Sequence, residues 1–381
     1  MSQMTRPQKA RWATALMFAV DGIGFGVWAA HIPVFKDHLH LSSTALSEVL
    51  LALVVGSIVT MPIAGQAISR FGSRRVVWAA ASAYILAITG LSFVNSLWPL
   101  IIAAAIFGAS KGGFDVSVNA QGVWVERQVG KRIMSSFQGF WSLGGLLGAC
   151  LTSYALRRGG STHQDFFRTC VALAICAIAA CPFLLEEEIQ PATKNRLRLP
   201  DPALLRLAGI AFLGLFAEGA MADWDGVYLN TSVGVSLSLA AIGYAAFSLS
   251  MAAGRFCGDW LLARLTPVII LRICGLFLFS GLAIALIFNG WWSSLIGFIF
   301  AGLGVANIVP VIWGAAGRNR VIGAGPALAT VTTIGYFGFL AGPPIIGAVT
   351  TVLNVRLALI IVALFGVAIA ASAQIAAQTD E

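Results

Sequence analysis

Apolar residues in this chain neither alternate nor mark one face of short helices; they come in long, nearly unbroken runs. Twelve runs fall at about 12–34, 44–68, 76–95, 97–125, 134–156, 167–185, 204–230, 237–262, 267–289, 291–316, 326–354 and 356–376. A helix needs about 20 apolar residues to cross the hydrocarbon core of a bilayer, and glycine or proline inside such a run is tolerated. The pattern predicts an all-α membrane protein of twelve transmembrane helices. The first run follows Arg6, Lys9 and Arg11, as the apolar stretch of a signal peptide would. It is too long for one and continues into Pro33 without a cleavage site, so it reads as a retained first helix.

The longest polar connection lies near the middle and divides the chain into an N-terminal six-helix bundle (1–185), a cytoplasmic linker (186–203) and a C-terminal six-helix bundle (204–381). The halves echo one another: Phe18-Ala19-Val20-Asp21-Gly22 in the first run corresponds to Phe216-Ala217-Glu218-Gly219 in the seventh. Two pseudo-symmetric bundles of this kind suggest two bodies moving around a central site.

Composition agrees. Of 381 residues, 58% are hydrophobic and only 10% charged, too little polar surface for a soluble domain of this size. The net charge of +8 has a topological reading. With the N-terminus in the cytoplasm, that side receives Arg6, Lys9, Arg11, Arg70, Arg74, Arg75, Arg127, Lys131, Arg132, Lys194, Arg196, Arg198, Arg206, Arg255, Arg264, Arg272, Arg318 and Arg320. The other side receives Lys36, Arg157, Arg158, Arg168 and Arg356, and Lys111 is left within the membrane. Both termini are then cytoplasmic, and the charge calls for no nucleic-acid partner. Six cysteines in or beside apolar runs read as packing residues. Gly22-Ile23-Gly24-Phe25-Gly26 lacks the spacing of a dinucleotide loop, and no Gly-Lys-Ser/Thr phosphate loop is present. Neither an enzyme nor a cofactor or metal site is expected; His38 and His40 read as residues of a solvated loop.

The connection after the second run reads Gly65-Gln66-Ala67-Ile68-Ser69-Arg70-Phe71-Gly72-Ser73-Arg74-Arg75. It resembles the helix 2–3 signature of the major facilitator superfamily, through Gly65, Arg70, Gly72, Arg74 and Arg75, with Ser69 in place of the usual acid. Gly258 and Asp259 resemble a degenerate second copy. Asp115-Val116-Ser117-Val118-Asn119 is similar to an element of the fucose-permease-like sugar transporters. The stretch 137–145 with Asp223-Trp224 resembles a bacterial subgroup that includes rhizopine transporters. The fucose permeases carry an acid near the outer end of the first helix, where this chain has Ala29, Ala30 and His31. The resemblance implies a transporter of the bacterial inner membrane working by alternating access, with a small-molecule substrate and a monomeric fold.

Depth singles out the chemistry. At 1.5 Å per residue, Asp21 lies about 15 Å beyond Arg11, Glu218 about 18 Å beyond Arg206, Asp115 about 16 Å before Glu126 and Asn307 about 16 Å before Arg318. All four sit near the midplane, where an isolated charge costs about 3 kcal/mol and demands a partner or water. Lys111, Asp115 and Asn119 share one helix face. Lys111–Asp115 reads either as a self-neutralising packing pair or as a pair that opens when Asp115 exchanges Lys111 for a proton. Asp21 and Glu218 are further proton candidates, each followed by a glycine expected to let the helix open. The alternative is a buried, permanently protonated acid. Asp225 lies two turns from Glu218, near the outer interface. Trp28, Trp141, Trp224 and Tyr336 suit either ring stacking or an interfacial belt. Gln138, Asn119 and Asn307 suit a polyhydroxylated substrate, since amides both donate and accept.

These residues predict a proton-coupled transporter of a sugar- or polyol-like solute. A proton-antiporting exporter of drugs or amphipathic metabolites, and a receptor or scaffold without transport, are the alternatives; the short loops leave little surface for the last.

Overall fold

The computed structural model describes residues 5–41, 43–157, 162–186, 202–235, 237–319 and 323–376. Most of the expected linker, with Lys194, Arg196 and Arg198, lies outside them, as do Arg158 and Arg320. The described residues form α-helices joined by short turns, without a strand. In order these are α1 (Arg6–His38), α2 (Ser43–Phe71), α3 (Ser73–Leu91), α4 (Leu97–Val129), α5 (Met134–Arg157), α6 (Thr162–Ala180) and α7 (Pro202–Tyr228). There follow α8 (Leu237–Leu262), α9 (Pro267–Phe288), α10 (Trp291–Ala306), α11 (Ile308–Gly317), α12 (Ala324–Val352) and α13 (Val355–Ser372).

Among the described residues nine helical stretches are long and apolar enough to cross a membrane, α10 and α11 counting as one. Their outer faces are those of a membrane protein. Ile63, Leu86, Ile102, Ile175, Leu249, Ile287 and Leu364 are exposed, whereas charged groups such as Asp21, Lys111 and Arg255 are buried. That inverted distribution suits a lipid solvent, because an apolar surface of this extent would associate in water.

One expected helix is two. The run 291–316 breaks at Asn307, between α10 and α11. Pro310 explains it: proline has no N–H, so the Ala306 carbonyl four residues earlier loses its helical partner. The broken turn exposes that carbonyl to other donors.

The chain divides into two compact units. The first comprises Met1–Ile133, Phe137–Arg196 and Ile322–Ala329; the second comprises Met134–Ser136, Leu197–Val321 and Thr330–Glu381. In the first, α1 packs on α3, α4 and α6, and α2 lies along α4. In the second, α9 packs on α10 and α13, α8 on α10, and α7 on α11 and α13.

Close backbone approach positions the charged residues of the first unit. A Cβ on Gly22 or Gly26 of α1 would lie 2.1 Å from the carbonyl oxygen of Trp141 or Gly145 on α5. Gly144 and Gly148 of α5 meet Ala19 O and Ile23 O of α1 in return, at 2.5 and 2.3 Å from their ideal Cβ positions. Two small-xxx-small pairs facing each other bring helices into the tight contact that packing in lipid requires. Gly22 therefore packs α1 against α5 and the helix remains continuous; Gly219 likewise faces the Phe339 carbonyl within an unbroken α7. The expected local opening at these glycines is not present.

A methyl group at such a contact forces the helices apart. Gly22→Ala is expected to destabilise the detergent-solubilised protein by about 1–3 kcal/mol. Gly90→Ala, where an added Cβ meets nothing within 4 Å, is expected to leave it unchanged or slightly more stable. Thermal unfolding followed by tryptophan fluorescence checks both.

Candidate functional site: two buried charge clusters

In the first unit, α1 and α4 bring three charged groups together. Lys111 Nζ donates to Asp21 Oδ2 at 3.0 Å and lies 3.7 Å from Asp115 Oδ1. All three residues are buried, Asp21 completely. The expected intrahelical pair is thus the longer of two contacts, and the closer partner comes from another helix. Tyr84 of α3 donates its hydroxyl to the Asp21 carbonyl at 2.7 Å, tying a third helix to the same turn. The Lys111 ammonium also lies 5.6 Å from the Trp141 ring centroid and 6.0 Å from that of Phe25, both faces that attract a cation.

Amides extend the cluster along α4 and α5. Asn119 Nδ2 donates to the Asp115 carbonyl at 2.8 Å and to Asp115 Oδ1 at 3.2 Å. Its Oδ1 accepts from Gln138 Nε2 at 2.8 Å. Asp21, Lys111, Asp115, Asn119, Gln138 and Trp141, all legible as candidates in sequence, therefore form one contact chain. Asp21 Oδ1 and Trp141 Nε1 are buried polar atoms without a hydrogen-bond partner among the described residues. Trp28 has a different setting: it is buried against Phe35 and Phe107, ring centroids 5.9 and 5.5 Å away, as aromatic core.

The second unit contains a pair that the sequence reading missed. Arg255, counted there among the cytoplasmic basic residues, is 2% exposed, and one guanidinium nitrogen donates to both Glu218 oxygens at 3.3 and 3.1 Å. Its Nε donates to Ala306 O at 3.4 Å, the carbonyl that Pro310 deprives of a helical partner. Asn307, at the break, donates to Gly254 O at 2.9 Å. Glu218 is ion-paired with the Arg255 guanidinium. Two signals pointed to Arg255: it lies inside the apolar run 237–262, and a proline in the tenth run frees a carbonyl for a donor.

The first turn of α5, Met134–Ser136, belongs to this second unit. Ser135 Oγ donates to Arg255 O at 2.7 Å and hydrogen-bonds Asn307 Oδ1. The backbone N–H of Ser136 donates to Asp259 Oδ1 at 3.0 Å. Gly258 sits beneath these contacts; its added Cβ would fall 2.0 Å from both Asn307 Oδ1 and Ser135 Oγ. Asp225, read as lying near the outer interface, is 2% exposed, and its Oδ2 has no hydrogen-bond partner among the described residues. Trp224, half-buried, packs near Gly347, and Tyr336 is half-buried on α12.

The motif between α2 and α3 is structural in its details. Gly72 has φ 79°, a value that excludes most side chains, and precedes α3 directly. Ser69 turns its hydroxyl back to Gly65 O at 3.1 Å. Arg74 pairs with Glu186, Arg70 lies 5.2 Å from the Phe71 ring and Arg75 is exposed. Ser73 donates to Gln121 of α4 at 2.7 Å, and Gln121 donates to Leu185 O at 3.3 Å. The charge missing at Ser69 is not replaced there; Arg74 finds its acid at the end of the sixth run.

Comparison with known proteins agrees with this architecture. The chain is 34% identical over 362 residues to an uncharacterized MFS-type transporter of Yersinia pestis, covering 95% of this chain and 94% of that one. It is 31% identical to an uncharacterized transporter of Sinorhizobium fredii (95% and 96% covered) and 29% identical to the membrane protein MosC of Rhizobium meliloti (94% and 88%). Its fold matches the crystal structure of the transporter FucP in the outward conformation with a TM-score of 0.80 at 14% identity, over 98% of this chain and 99% of FucP. The human organic anion transporter MFSD10 matches with a TM-score of 0.78, also at 14% identity, over 97% and 100%. The family model of the Major Facilitator Superfamily matches residues 14–321. The chain belongs to the Major Facilitator Superfamily and is a multi-pass membrane transporter.

Proposed function

We propose that this protein is a proton-coupled secondary transporter of a small polar, sugar- or polyol-like solute, operating by alternating access. In this reading α3, α5 and α8 also span the membrane, completing twelve spans in two six-helix bundles of a monomer in the bacterial inner membrane, with both termini cytoplasmic. One observation carries it: among the described residues, the cluster at Lys111 contains two buried carboxylates and a single cation. When all three groups are ionised, the cluster bears one uncompensated negative charge, which is costly where lipid surrounds the protein. A proton is the smallest ion that removes it.

Asp21 holds the shorter contact to Lys111 and Asp115 the longer, so two acids share one cation. Movement of Lys111 between the two acids changes which one needs the proton, and that links protonation to the packing of α1 on α4. The Asn119–Gln138 amides and the Trp141 ring beside them offer the mixed donor, acceptor and flat apolar surface that a hydroxylated ring requires. FucP, whose fold this chain shares, is a fucose:proton symporter, which is consistent with this reading. Glu218–Arg255 is neutral as a pair and needs no proton; its role is to hold α7 and α8 to the break at Asn307 in the second unit.

Two outcomes are expected. In liposomes with an internal pH dye, screened against sugars, polyols and cationic drugs, the wild type moves protons when its solute is added. Asp115→Asn abolishes uphill accumulation while downhill exchange persists; uphill transport at the wild-type level by this variant would reject the coupling assignment. A response to cationic drugs alone would favour the exporter reading, and silence toward every solute would count against a coupled transporter.

The second expectation concerns Arg255. Glu218→Gln leaves a guanidinium buried without its counter-ion and is expected to cost about 3–5 kcal/mol of stability. The double variant Glu218→Gln/Arg255→Gln is expected to recover much of that loss. Thermal unfolding of the two single variants and the double variant gives the coupling between the residues.

A further inference from the structure

His31 and Asp165 form a second buried ionisable pair in the first unit, between α1 and α6 and apart from the Lys111 cluster. His31 is fully buried and Asp165 is 7% exposed, with Nε2 and Oδ2 3.5 Å apart. The opposite ring nitrogen fixes the chemistry. His31 Nδ1 lies 2.8 Å from the Val27 carbonyl oxygen. A carbonyl can only accept, so Nδ1 carries a hydrogen and donates it. A neutral imidazole in that tautomer turns a bare lone pair at Nε2 toward the carboxylate. Neither Nε2 nor Asp165 Oδ2 hydrogen-bonds any other group among the described residues.

Two lone pairs facing each other in a buried site, one belonging to an anion, repel and leave the charge uncompensated. One proton reverses this, giving either an imidazolium–carboxylate pair or an imidazole–carboxylic acid hydrogen bond. Among the described residues the surroundings supply no other cation. Phe166 of α6 lies against the imidazole, ring centroids 4.4 Å apart and planes tilted by 34°, and Phe35 of α1 lies 6.3 Å away. On α6, Arg168 and His163 are exposed, and the Cys170 thiol takes a hydrogen bond from Thr89 of α3. On α4, Lys111 is engaged by Asp21 and Asp115, and the Tyr84 hydroxyl of α3 donates to Asp21 O.

We propose that His31 and Asp165 share a single bound proton, forming a proton site about 15 Å along α1 from Asp21 that holds α1 against α6. Loss of the proton at high pH sets imidazole against carboxylate and releases that contact. The site stands independently of the coupling role assigned to Asp115.

Histidine-labelled protein in liposomes tests this by 15N NMR, with infrared spectroscopy of the carboxyl region. The chain has four histidines, and His38, His40 and His163 are exposed. His31 is therefore the one shielded from a water-soluble paramagnetic reagent, which identifies it without a variant. The expected result at neutral pH is a protonated Nδ1 together with one further proton: either Nε2 is protonated too, or a carboxylic acid band appears that Asp165→Asn removes. Whichever of the two is observed must vanish on alkaline titration. In Asp165→Asn the amide N–H donates to Nε2, and His31 is then neutral where the wild type holds the proton. A bare Nδ1, or a neutral His31 beside an ionised Asp165 at neutral pH, would overturn the proposal. Should Asp165→Asn not fold, the wild-type titration decides alone.

Discussion

An ammonium inside a helix bundle surrounded by lipid must keep a counter-ion within reach, and much of the first unit is arranged around that requirement at Lys111. Asp115 on the same helix is not its closest partner; Asp21 on α1 is. That contact is possible only where α1 holds its position beside α4. The glycine faces of α1 and α5 anchor α1 from one side through Gly22, the residue after Asp21, and Tyr84 binds the Asp21 carbonyl from another. Close packing of backbones thus sets the distance between charges that lie ninety positions apart in sequence.

The two units solve the same problem with different chemistry. Lysine presents a compact charge shared between two acids, so with all three groups ionised the balance is short by one positive charge. Arginine presents a fork that remains charged at any physiological pH and fills several acceptors at once. Arg255 uses it on both Glu218 oxygens and on the carbonyl that Pro310 leaves open. A cluster of two acids and one lysine is suited to exchange, and a guanidinium–carboxylate pair braced by a broken helix is suited to rigidity. The proposed division of labour, with coupling in the first unit and bracing in the second, follows from that difference.

Much of this was legible in the sequence because its physical basis is local. Long apolar runs announce membrane helices, and depth along a run shows which charges are expensive. Lys111, Asp115 and Asn119 follow from helical spacing, and Gly72 from the helix 2–3 signature. What the sequence hid depends on pairs from different helices. Nothing periodic links Asp21 to Lys111 or His31 to Asp165. Arg255 was lost for another reason: counting basic residues by side treats every arginine as a surface residue, although one inside an apolar run needs a buried acid. The glycines after Asp21 and Glu218 look the same whether they loosen a helix or admit a neighbour, and only the facing carbonyls decide between the two.

Pairing also limits how the first unit can move. If α1 slides against α4, Lys111 cannot leave Asp21 while both acids are charged, because either choice strands a carboxylate in a medium that tolerates isolated charge poorly. A proton arriving on the abandoned acid removes that obstacle, and its departure restores it. In the proposed cycle, motion and protonation are then linked without a separate gate. The same argument applies farther along α1, where His31 and Asp165 stay in favourable contact only while a proton lies between them. A helix held at two points by protonatable contacts moves freely only in the protonation states that satisfy both.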